Sequence, residues 1–86
     1  MPITRKNVAE MILKYINREL SLSNLVDWAE DTMMESDFED QYFDIIRNIV
    51  SRIGLADVEE FGLSWDDCYD YLHGLGYSVK VETVEA

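Results

Sequence analysis

Cys68 and His73 are the two side chains of this sequence with obvious nucleophile or base chemistry. They lie five residues apart on one predicted helix, about 140° round its axis, so they point to different faces and do not form a nucleophile–base pair. Cys68 falls on an apolar stripe, where a free cysteine behaves as a small hydrophobe. His73 falls in the last helical turn, where a histidine suits the negative pole of the dipole. Asp66, Asp70 and His73 share a face at spacings of four and three, but an exposed face with one histidine is not a closed ligand set. The carboxylates between Asp31 and Asp40 lack the alternating Asp positions, central Gly and spaced Glu of a calcium-binding loop. Gly74-Leu75-Gly76 has neither a following helix nor a nearby lysine, so it is not a phosphate loop. Paired carboxylates for acid–base work need a desolvated pocket, and every acid here falls on a face predicted to be wet. The expectation is a protein that is not an enzyme and holds neither metal nor cofactor.

What remains is charge and aromatic residues. The chain of 86 residues has a formal net charge of −11, and it is unevenly spread. Residues 1–26 carry Arg5, Lys6, Lys14 and Arg18 against Glu10 and Glu19; every other acid lies beyond, opposed by Arg47, Arg52 and Lys80 alone. Residues 27–44 and 57–70 contain no Lys or Arg at all. Such a surface repels nucleic acid and acidic lipid and attracts basic surfaces. In both stretches aromatics alternate with acids: Asp37-Phe38-Glu39-Asp40-Gln41-Tyr42-Phe43-Asp44 and Trp65-Asp66-Asp67-Cys68-Tyr69-Asp70-Tyr71. Phe43 and Tyr71 fall off the apolar stripes, beside carboxylates. Aromatics supply contact area and acids supply steering, the pairing that suits a basic protein partner. The candidate partner surface is therefore Glu39, Asp40, Phe43, Asp44, Asp66, Asp70 and Tyr71.

The elements that position these residues are helical. A hydrophobic fraction of 48% argues for a folded single domain spanning residues 1–86. A chain this size buries roughly 60–65% of its unfolded surface, enough for one modest core. Thr4 caps a first helix over about Arg5 to Arg18, with Val8, Met11, Ile12, Tyr15 and Ile16 as its apolar face. Ser21 or Ser23 opens a second, with Leu22, Leu25, Val26, Ala29 and Met33 inward. Asp37 caps a third, in which Phe38, Tyr42, Ile45, Ile46, Ile49, Val50 and Ile53 make one face and Gly54 is the C′ residue. A short helical turn within Leu55 to Phe61, capped by Asp57, is closed by Gly62. Ser64 and Asp67 form a capping box for a fourth helix, with Trp65, Cys68, Tyr69 and Leu72 inward. Gly74 and Gly76 end it.

Tyr77 to Val84 alternates, with Tyr77, Val79 and Val81 on one side, and reads as a single C-terminal strand. A lone strand must pair with its copy in a second subunit, pair with the segment around Ile3, or stay frayed. The homodimer version makes the chain a structural homo-oligomer.

The fold class is thus mostly α: a compact bundle of about four helices, a short helical turn before the last, and one C-terminal strand. The last two helices and the strand resemble a winged DNA-binding domain in order, but a recognition helix bearing Asp66, Asp67 and Asp70 has the wrong sign for phosphates. One cysteine allows no internal disulfide, and no apolar run reaches the ~18 residues of a membrane span. With no signal-peptide pattern at Met1, a cytoplasmic location is expected. In size, charge and helical content the chain is similar to the small acidic immunity proteins that neutralise basic nuclease toxins. No motif carries that similarity, so no residue role is transferred from it.

Overall fold

The computed structural model describes residues 2–35, 37–58 and 62–78. Four helices, α1 (Arg5–Ile16), α2 (Leu22–Glu35), α3 (Phe43–Ile53) and α4 (Trp65–Gly74), form one bundle, and a 3-10 turn (Asp40–Tyr42) leads into α3. Val8, Ala9, Ile12, Leu25, Ala29, Ile46, Ile49, Val50, Ile53, Cys68 and Leu72 meet in a single core, contributed by all four helices.

α1 begins where Thr4 predicts. The Asn7 N–H donates to Thr4 Oγ1 (3.2 Å) and the Thr4 N–H to Asn7 Oδ1 (3.0 Å), a reciprocal box. The helix stops two residues short of the expected Arg18. Arg18 instead has φ +63°. Its N–H donates to Tyr15 C=O and that of Glu19 to Lys14 C=O, which is the Schellman arrangement with arginine at the position glycine usually fills. Ser21 opens α2, its Oγ accepting from the Asn24 N–H at 3.1 Å. α2 makes its most extensive packing with α3.

Four expectations about α3 are corrected. Asp37 is no cap: its carbonyl accepts from the Ile3 N–H (2.7 Å), while the Glu39 N–H donates to the Ile3 carbonyl (3.0 Å). Phe38 is therefore extended, in an isolated parallel bridge to Ile3, and is buried from there. Ile45 stands at the edge of the helix's apolar stripe and is exposed, while Ile46, Ile49, Val50 and Ile53 take the core. Gly54 has φ −62° and ψ −17°, so the chain runs on through tight turns instead of reversing at a left-handed residue. Those turns hold the Leu55, Ala56 and Val58 N–H groups on the Arg52, Ile53 and Leu55 carbonyls and bury Ala56. Gly62 adopts φ +62°, in keeping with a closing turn.

α4 opens on the predicted box: Asp67 N–H to Ser64 Oγ (3.1 Å) and Ser64 N–H to Asp67 Oδ2 (3.0 Å). Cys68 and Leu72 point inward as expected, and Tyr69 is half-buried. Trp65 does not point inward; it is 51% exposed. It is the first residue of the helix and lies at the edge of the bundle, against Tyr15. α4 ends in a second Schellman motif, with Gly76 at φ +94° and the Gly76 and Tyr77 N–H groups on the His73 and Leu72 carbonyls.

Apart from the Ile3–Phe38 bridge, no β pairing occurs among the described residues. Of the expected strand, Tyr77 and Ser78 are described and are not in a ladder, whereas Val79, Val81 and the rest lie outside the described residues. No described helix is long and apolar enough to cross a membrane.

Candidate partner-binding surface

Arg5 decides how the candidate residues are arranged. Its backbone N–H donates to Glu39 Oε1 at 3.0 Å, and its Nε lies 3.8 Å from the same oxygen. Its Nη1 donates to the Leu75 carbonyl at 3.2 Å, and its Cζ sits 3.7 Å from the centre of the Tyr42 ring. One side chain thus ties the start of α1 to the entrance of α3 and to the end of α4. Glu39 meanwhile supplies a negative charge at the N-terminus of α1, where the dipole favours it. Glu39, proposed as a partner contact, is occupied inside the molecule. The sequence could not announce this, because the two residues are 34 apart and neither belongs to a local motif.

The other candidates fall into two groups. Asp40, Phe43 and Asp44 stand at the entrance of α3, close in sequence to Tyr42. All three are exposed, with Phe43 edge-on against Phe38 at 5.8 Å between ring centres. Asp66 and Asp70 are exposed on the first two turns of α4. α1 and α4 run antiparallel, since Arg5 meets Leu75 at one end and Tyr15 meets Trp65 at the other. Asp66 therefore lies nine residues, ~13 Å along the helix, from the end that Arg5 holds.

Tyr71 is half-buried and packs on the core instead of standing free. It shares a recess of about 330 Å³ with Arg52, Leu55, Gly62 and Asp67. Burial chiefly, then the Asp67 charge, pushes its hydroxyl above its usual pKa of 10.0, and Arg52 pulls the other way. Cys68 is fully buried, and burial, aided by Asp67, pushes its thiol up from 9.0 to about 11. It is a core side chain with no thiolate at neutral pH. Asp66, Asp70 and His73 are all exposed, and among the described residues no three His, Cys, Asp or Glu side chains converge as a ligand group.

The structure adds a feature that the periodicity hid. Trp65 packs against Tyr15 with ring centres 6.4 Å apart and planes tilted by 32°. The pair lines a recess of about 380 Å³ together with Arg18, Glu19, Leu20 and Ser21. The signal that could have found it is position: an aromatic directly after an N-cap is at the rim of a bundle, whatever stripe it extends.

The described end of the chain is also committed. The Tyr77 N–H belongs to the α4 cap, and its ring borders a groove of about 410 Å³ with Lys6, Ala9, Glu10, Leu13, Leu72 and Ser78. Among residues 2–4 no N–H donor is left for a second strand. Pro2 has no N–H, the Ile3 N–H is held by Asp37, and the Thr4 N–H is held by Asn7.

No family model matches the chain, and no characterised protein or solved structure matches it either.

Proposed function

We propose that this protein is a non-enzymatic binding module that engages a basic protein partner through exposed acids, in the manner of an inhibitor, an antitoxin- or immunity-like protein, or an adaptor. The observation that supports the reading most directly is the state of the acids on α3 and α4. Asp44, Asp66 and Asp70 are exposed, and the Arg5–Glu39 contact is the only ion pair among the described residues. Charges left unpaired on a −11 molecule cost self-repulsion and are available to a cationic surface. The test replaces Asp44, Asp66 and Asp70 together by Asn. Capture of a basic partner should fall steeply, and unchanged capture would remove the acids from the interface.

A second reading, a structural homo-oligomer, is favoured by the exhausted donors around Ile3. If residues 79–84 form the strand their alternation suggests, the segment around Ile3 offers them no N–H donor, which favours pairing with the same strand of a second subunit. Val81→Pro removes one ladder donor and should turn a dimer into a monomer in sedimentation analysis. Wild-type protein that sediments as a monomer at high micromolar concentration would end this reading.

A further inference from the structure

We infer that the groove between α1 and α4 is covered by the chain's own C-terminal segment, with Val79 and Val81 seated over Leu13. This goes beyond both readings above and rests on neither: it concerns the side-chain face of residues 79–81, whereas a second subunit would take their backbone edge. Three observations carry it. The groove holds about 410 Å³, is floored by the buried Ala9 and Leu72, and is bordered by two large apolar residues left partly open, Leu13 at 41% exposed and Tyr77 at 39%. The chain itself enters the groove, since Tyr77 and Ser78, the last two described residues, both line it. The exit of α4 directs it there: Gly76 at φ +94° turns the chain, and the Tyr77 N–H is held on the Leu72 carbonyl.

Length, register and charge then select the occupant. Along α1 the groove runs from Lys6 to Leu13, a distance of ~10 Å. Arg5 meets Leu75, so the chain leaves α4 at the Lys6 end and has that length to cross. From Ser78 to Val81 an extended chain also covers ~10 Å. In such a chain Val79 and Val81 take the same side as Tyr77, whose ring already borders the groove, and Lys80 takes the opposite side. Beyond Val81 the match ends, because the next residue on that side is Thr83. Among the described residues lining the groove, Lys6 and Glu10 are the only charges and they cancel, so the groove selects an apolar guest. A tethered segment also acts at an effective concentration on the order of millimolar, which a separate molecule would have to match.

The test is disulfide trapping in the full chain. Leu13→Cys/Val81→Cys is oxidised at low protein concentration beside Lys14→Cys/Val81→Cys, whose α1 position is exposed but does not line the groove. Peptide mapping distinguishes the new bridge from any involving Cys68, which is buried. The first pair should close an internal disulfide ~10-fold faster than the second, within a monomer. A double-mutant cycle of Leu13→Ala and Val81→Ser in urea unfolding gives a readout without added cysteines, and the two changes should couple by about threefold in the unfolding equilibrium constant. Leu13 is partly exposed, and circular dichroism verifies the fold of each variant. Equal closure rates, or additive unfolding effects, overturn the inference. Disulfide-linked dimers as the main product of the first pair overturn it as well, and give the groove to a second copy. None of these outcomes bears on capture of a basic partner, which the Asp44, Asp66 and Asp70 substitutions test separately.

Discussion

Two arginines show how differently one residue type can be used. Arg5 reaches a carboxylate, a carbonyl and an aromatic face at once, and its partners come from two separate parts of the chain, the entrance of α3 and the end of α4. Arg18 occupies a left-handed backbone position at φ +63° that Gly76 fills in the equivalent motif of α4. An L-residue there costs about 1–2 kcal/mol, so Arg18→Gly should raise stability by up to about 1 kcal/mol once the extra freedom of unfolded glycine is counted. Urea unfolding midpoints compare the two. The reverse substitution, Gly76→Ala, forces a left-handed alanine and sets its Cβ 2.9 Å from Arg5 Nη1, so it should destabilise. Cys68 predicts the behaviour of the fold at high pH. Its folded pKa is raised, so the contribution is complete below pH 9.0 and is lost as pH climbs toward about 11, where the buried thiol also ionises. Tyr71 is raised too and acts in the same direction. Unfolding midpoints measured from pH 8 to 11 should fall, and the fall should be shallower in Cys68→Ala. Thiol alkylation at pH 8 should require unfolding.

At the scale of elements, the helices were legible and their ends were not uniformly so. Thr4 and Ser64 each sit before a periodic segment with a polar residue three positions on, and each forms its capping box. Replacing either by Ala should cost about 1 kcal/mol in urea unfolding. Caps are local, which is why four residues of sequence suffice to see them. The entrance of α3 was not legible, because Asp37 and Phe38 answer to Ile3, a residue far earlier in the chain. Periodicity places Phe38 on a stripe and correctly predicts that it is buried, but for a helical reason that does not hold. The same limit governs the site. Exposure of Asp44, Asp66 and Asp70 follows from their helix positions, whereas the capture of Glu39 by Arg5 and of Tyr71 by the core depends on contacts between elements. Leu75, flanked by two glycines, is fully buried without belonging to any stripe.

On the scale of the whole molecule, the account is electrostatic. The core is modest and shared by four short helices, and the surface carries a net charge of −11. Self-repulsion of that kind is screened over about 10 Å in 0.1 M salt, so thermal stability should rise on going from 10 to 200 mM sodium chloride. Binding of a basic partner should move the opposite way, weakening as salt is added. The most direct measurement is a capture experiment from native lysate at low and high salt, using wild type beside the Asp44→Asn/Asp66→Asn/Asp70→Asn variant and identifying bound proteins by mass spectrometry. The account predicts one basic protein, held by the wild type at low salt, released at high salt and missed by the variant. Retention of the same protein by the variant, or recovery of nothing beyond further copies of the chain itself, would contradict it.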